Sequence, residues 1–179
     1  MDREAGSRVT RRCVLLVGFM ASGKSTVGRI LAGILDWPFV DSDAVIEETA
    51  KATIPEIFRD QGERAFRRLE RDVIDRAARE TDVVIATGGG WAAQPGTMDA
   101  LPRTALVVWL RIGAEEAVRR AGASGTTRPL LEVPDPVGSA RRLLAEREPG
   151  YRGAHWEIDA EGREPREIAQ AIARYLEGT

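Results

Sequence analysis

Apolar runs bounded by turn-forming residues recur at Val14–Phe19, Pro38–Val40, Val83–Ala86, Ala105–Leu110 and Trp156–Ile158. Each is short and continuous rather than alternating, which predicts strands buried on both faces. Between them apolar residues return at helical spacing. Val27, Ile30, Leu31, Ile34 and Leu35 form one such stripe, and Phe66, Leu69, Val73, Ile74 and Ala77 a longer one. Further helices fit Ala44–Ala50, Ala114–Arg120, Pro136–Arg147 and Pro165–Leu176. Pro136 and Pro165 suit first-turn positions, where the missing amide hydrogen has no partner to lose. Strands alternating with helices predict a five-stranded parallel sheet covered on both faces, a three-layer α/β/α domain.

Two stretches break this pattern. Residues 121–135 mix Gly122, Gly125, Pro129 and Pro134 with short polar residues and read as a mobile flap, a lid. Residues 86–96 contain the consecutive glycines Gly88, Gly89 and Gly90. No repeat or linker divides the chain, so its 179 residues read as one domain, 1–179, with a polar, frayed segment at 1–11.

Composition narrows the function classes. Hydrophobic residues are 43% and charged residues 30%, enough for a core and too apolar for a disordered chain. A formal charge of −2 argues against a general nucleic-acid binder and toward a small-molecule partner. One cysteine, Cys13, and one histidine, His155, exclude disulfide and Cys/His zinc scaffolds. No apolar run approaches the roughly 20 residues that span a bilayer. Arg11 and Arg12 before Cys13–Ala21 imitate a secretory leader, but the same run reads as a buried strand entering a glycine loop. A monomeric cytoplasmic protein without a membrane partner is expected.

The chemistry starts at Gly18. Gly18-Phe-Met-Ala21-Ser22-Gly23-Lys24-Ser25 matches the phosphate-loop pattern directly after a predicted strand and before a predicted helix. Its glycines let backbone amides and a helix N-terminus face phosphate, with Lys24 on the outer phosphates and Ser25 able to ligate magnesium. In this composition the motif arises by chance roughly 0.002 times per chain. Nucleoside triphosphate binding is therefore expected from Gly18, Ala21, Ser22, Gly23, Lys24, Ser25 and Thr26. The chain contains no asparagine, hence no Asn-Lys-x-Asp guanine reader, and Val83–Ala86 ends in Thr87 and bare glycines rather than a metal-binding aspartate. Asp41 and Asp43 follow the second strand at a spacing that could aim both into the crevice at the strands' carboxyl ends. One could assist magnesium and the other accept a hydroxyl proton; the alternative is that Ser42 or Asp43 only caps the next helix.

The ordered set resembles the shikimate kinase family. It comprises the phosphate loop, Asp41-Ser-Asp43, Ile54-Pro-Glu-Ile-Phe58, Gly62-Glu63, Phe66-Arg67-Arg68-Leu69-Glu70, Gly88-Gly-Gly90, Arg128-Pro-Leu-Leu131 and Arg147-x-x-x-Tyr151, across about residues 13–176. The resemblance implies a nucleoside-monophosphate-kinase-like fold and ATP-dependent phosphorylation of the 3-hydroxyl of shikimate, in aromatic amino-acid biosynthesis. It also implies Mg2+ held at Ser25, with Asp41 acting through water. Lys24, Asp43 and Arg128 would be catalytic. Asp43, Arg67, Gly89, Gly90 and Arg147 would bind shikimate, Glu70 would orient Arg67 one turn away, and Arg120, Arg128 and Pro165 would join the nucleotide site. The rival readings are a gluconate or cyclitol kinase of the same architecture, or an inactive nucleotide-binding regulatory module. Trp91 stands where a small or aliphatic residue is expected, and could either reshape the substrate floor or point away into an apolar layer.

Overall fold

The computed structural model describes residues 11–123 and 133–178. Five parallel strands form one sheet: β1 (Cys13–Val17), β2 (Phe39–Asp41), β3 (Val83–Ala86), β4 (Ala105–Arg111) and β5 (Trp156–Asp159), in the order β2-β3-β1-β4-β5. Successive side chains of a strand point to opposite faces, and all five residues of β1 are buried, so helices cover both sides. The expected fold class is the one observed. β1 lies at the centre, flanked by the apolar β3 and β4, and the short β2 forms an edge.

Seven α-helices are present among the described residues: α1 (Lys24–Leu35), α2 (Ser42–Ala50), α3 (Ile54–Gln61), α4 (Glu63–Ala77), α5 (Ala114–Ala123), α6 (Pro136–Tyr151) and α7 (Pro165–Glu177). Several boundaries moved against expectation; α5 continues to Ala123, so residues 121–123 of the expected lid are helical. The first strand stops at Val17, because Gly18 turns the backbone at φ 140° into the phosphate loop. α6 does not end at Arg147 but runs through Pro149 to Tyr151. A proline there removes the amide that would bond the carbonyl of Ala145, an exposed residue whose carbonyl water can satisfy.

α3 was not anticipated. Thr53 and Glu56 form a reciprocal capping box around its first turn, with Pro55 near the N-terminus. Its Ile57, with Ile46 and Phe66, builds a small apolar cluster apart from the main core. Trp91 resolves toward the second alternative: in a short 3-10 helix (Trp91–Ala93) it is 1% exposed and packs in the main core, off the cavity described below. Arg11, at the end of the segment expected to fray, donates hydrogen bonds to the carbonyls of Arg103 and Ala105. Arg128 and residues 124–132 of the expected lid lie outside the described residues.

Candidate active site

A cavity of about 630 Å³ opens along the carboxyl ends of the strands. It is where an open parallel sheet offers loop backbone and helix N-termini to a ligand. One end is the phosphate loop. Gly18 leaves no room for a side chain: a Cβ would come within 2.5 Å of the Leu110 carbonyl oxygen. Ala21 takes φ 60° and Gly23 φ 93°, left-handed turns that bring the chain into α1. Lys24, 9% exposed, folds back over the loop and donates from Nζ to the carbonyls of Gly18 and Phe19 at 2.9 and 2.8 Å. Ala21, Gly23, Lys24, Ser25 and Thr26 line the cavity; Gly18 and the buried Ser22 support the loop from behind.

The second element is the end of β2. Asp41 is the N-cap of α2, its Oδ1 accepting from the Ala44 amide at 3.5 Å. The capping alternative thus named the wrong residues: neither Ser42 nor Asp43 caps α2. The other oxygen of Asp41 accepts from the Ser25 hydroxyl at 2.7 Å. Asp43 faces the cavity with Oδ1 buried and without a hydrogen-bond partner. Burial raises its pKa above the ordinary carboxylate value and Asp41 adds to the rise, while Lys24 and Arg67 oppose it. Asp43 therefore feels both Lys24 of the phosphate loop and Arg67 of α4.

The third element adjoins the phosphate loop: a Cβ on Gly89 would sit 3.4 Å from the Met20 amide nitrogen, and the Arg147 guanidinium lies over the Phe19 ring. Arg67, on α4, donates from Nη1 to Glu70 Oε2 at 2.7 Å and from Nη2 to Glu63 Oε1 at 3.1 Å. Glu70 is 0% exposed, so the pair is not a solvated surface bridge. Burial, the larger influence, pushes Glu70 up, and Arg67 pulls it back. The glycine loop after β3 leaves space for these groups. A Cβ on Gly88 would meet Glu70 Oε1 at 2.2 Å and Asp43 Oδ1 at 2.9 Å, and one on Gly90 would meet Arg67 Nη2 at 2.6 Å. The loop is held by Ser42, whose buried hydroxyl accepts from the Gly88 amide at 3.0 Å, and by Thr87, which donates to the Leu16 carbonyl at 3.1 Å. Arg147 comes from α6 and stands beside Gly89, 3.5 Å from where a Cβ would sit.

Asp41, Asp43, Arg67, Glu70, Gly89, Gly90, Arg120, Arg147 and Pro165 are thus brought to one cavity with the phosphate loop. A sequence model of the shikimate kinase family matches residues 20–177. The chain belongs to the shikimate kinase family. A shikimate kinase of Synechococcus sp. (strain RCC307) is 42% identical over 173 residues, 97% of this chain and 88% of that protein. The structure of a shikimate kinase from Acinetobacter baumannii in complex with shikimate superposes with a TM-score of 0.87 at 38% identity, covering 95% of each chain. A gluconokinase from Sinorhizobium meliloti has a TM-score of 0.59 at 19% identity over 96% of this chain and 97% of its own, a likeness of fold alone.

Shikimate kinase family membership accounts for the ordered motifs, yet the cavity has further walls that sequence reasoning left out. Ile54, Phe58 and Phe66 form an apolar side, Met20 lines the cavity from the phosphate loop, and Arg163 lines it together with Pro165. The apolar four sit inside quoted motifs that by themselves give them no part in the site, and Phe66 figures only in a helical stripe. Arg163 is one arginine among 24 and carried no signal of its own.

Proposed function

We infer that the protein transfers the γ-phosphoryl group of ATP to the 3-hydroxyl of shikimate, giving shikimate 3-phosphate and ADP for aromatic amino-acid biosynthesis. The observation that carries this reading is one cavity in which a phosphate loop, two arginines beside a bare glycine backbone, and a buried carboxylate with one unpartnered oxygen meet, the carboxylate acted on by both Lys24 and Arg67. Arg67 and Arg147 supply the charge that a carboxylated acceptor needs and a neutral sugar does not.

In this reading the substrate hydroxyl oxygen bonds to the γ-phosphorus as the bond to the bridging oxygen breaks, and the hydroxyl proton passes to Asp43. A carboxylate whose proton affinity is raised by burial is a better acceptor than an exposed one. Lys24 holds the outer phosphates, and Gly18, Ala21, Ser22, Gly23 and Thr26 shape the loop around them. Arg120 and Pro165 flank the nucleotide. Arg67 and the Gly89 and Gly90 backbone hold the carboxylate and ring with Arg147. For Arg128 the sequence reading stands alone. The oxygens of Ser25 and Asp41, in contact beside the phosphate loop, fit Mg2+, a hard cation satisfied by few protein oxygens when phosphates and water complete its shell. When bound it would neutralise phosphate charge.

The same reading takes the enzyme as a single-domain cytoplasmic monomer, and no described helix is long and apolar enough to cross a membrane. A coupled assay of ADP release with shikimate, quinate and gluconate in parallel tests the acceptor. All three carry a carboxylate, so the ring and its hydroxyls decide: turnover with shikimate should exceed the others by at least about 100-fold, because a mismatched hydroxyl leaves buried polar groups such as Asp43 unpaired. Equal or faster turnover of gluconate would overturn the assignment.

A further inference from the structure

Tyr151 is the last residue of α6, one turn beyond Arg147 on the same helical face. It is 0% exposed, and its ring packs against Trp109 of β4 with centroids 5.7 Å apart. It does not line the cavity. Its hydroxyl nevertheless donates to the carbonyl of Gly89, the glycine that stands beside the Arg147 guanidinium. The Arg147 guanidinium, 3.5 Å from where a Cβ of Gly89 would sit, is within reach of that hydroxyl, and its charge opposes the rise in the hydroxyl's pKa. A phenol has one hydrogen and two acceptor lone pairs, so one hydroxyl can donate to the loop and accept from the arginine together.

We propose that Tyr151 is a positioning residue that fixes Arg147 and Gly89 relative to one another before the acceptor arrives. This rests on the carboxylate-binding role inferred above for Arg147. Arginine carries several rotatable bonds, and ordering it at the moment of binding costs affinity; a hydroxyl that orders it beforehand avoids that cost. The seat is rigid for a local reason. A Cβ on Gly150 would lie 2.3 Å from the Ala92 carbonyl oxygen, so the end of α6 rests directly on the backbone that follows the glycine loop. Burial pushes the Tyr151 pKa up to about 12 against the opposing pull of Arg147 and Arg67, with Glu70 adding to the rise, so the donor keeps its hydrogen at any working pH.

Tyr151→Phe removes only the hydroxyl. The Michaelis constant for shikimate should rise roughly 10-fold, the loss of about one charge-assisted hydrogen bond, while that for ATP stays unchanged and kcat changes less than about threefold. With an acceptor whose carboxylate is replaced by a carboxamide, the variant and the parent should be equal, which a general loosening of the core would not produce. Arg147→Ala, run in parallel, separates the two readings. If it leaves shikimate binding untouched, the role of Arg147 fails; if it weakens binding while Tyr151→Phe does not, the positioning role fails. Should Tyr151→Phe not fold, nitrogen-15 NMR of the parent decides: the Arg147 guanidinium should show hindered rotation without substrate, and free rotation would overturn the proposal.

Discussion

The two ends of the cavity are built in opposite ways. The phosphate end is a continuous segment, Gly18–Thr26, whose parts are fixed by one strand, one turn and one helix N-terminus. The acceptor end takes Asp43 from α2, Arg67 and Glu70 from α4, the glycines from the loop after β3, and Arg147 from α6. Adjacent residues shape the first once β1 is paired in the sheet. The second exists only because the sheet brings β2 and β3 side by side and α6 folds back over the glycine loop. A contiguous site keeps its shape when its neighbours shift, whereas an assembled site depends on contacts between elements that never touch the ligand.

The comparison can be broken first at Lys24. Lys24→Ala should lower turnover by at least about 10³-fold, since positioning and charge stabilisation supply nearly all the catalysis of phosphoryl transfer. Steady-state kinetics beside a circular dichroism spectrum would show loss of rate in a folded protein; retained turnover would break the picture. At the other end, Arg67→Ala should raise the shikimate Michaelis constant about 100-fold, the scale of losing one partner of a buried charge pair, and leave that of ATP nearly unchanged. Lysine should restore it only in part, lacking the planar fork. Equal effects on both substrates would erase the division between the ends.

Gly88→Ala sharpens the contrast by adding one methyl group between Glu70 and Asp43. The forced shift should cost about 10-fold in kcat/KM for shikimate, in line with ordinary overpacking, measurable by varying each substrate in turn. The smallest effect belongs to a site in neither end. His155 Nδ1 accepts the backbone amide of Val107 at 3.0 Å, and burial together with the charge of Arg11 lowers its pKa from 6.5. A neutral imidazole favoured by the fold contributes stability that is complete above 6.5 and is lost as pH falls below it through the folded value. His155→Ala should lower Tm by about 2–4 °C at pH 7.5, the gap should narrow on acidification, and kinetics should not change.

The same division explains what the sequence disclosed. The sheet was legible because buried parallel strands are uninterrupted apolar runs, and Val83–Ala86 was placed to the residue. The phosphate loop was legible because its chemistry demands adjacent residues. α3 escaped because its eight residues show too few turns of periodicity, although Thr53 and Glu56 spelled out its start. The end of α6 escaped because Pro149 and Gly150 read as terminators, while packing on Ala92 carries the helix on to Tyr151. At the acceptor end the residue types were visible as motifs. What sets them against each other, such as Ser42 holding Gly88 or Tyr151 holding Gly89, is tertiary and has no local pattern.

The strand order β2-β3-β1-β4-β5 also dictates when the nucleotide site can come into being as the chain folds. β1 carries the phosphate loop, yet its two ladder partners begin at Val83 and Ala105, in the middle of the chain. A newly made N-terminal stretch therefore has the whole motif and nothing to hold it open. Closing such distant pairings is the slow step in parallel sheets, so on the ribosome the kinase acquires its grip on ATP late, after β4 has emerged and docked.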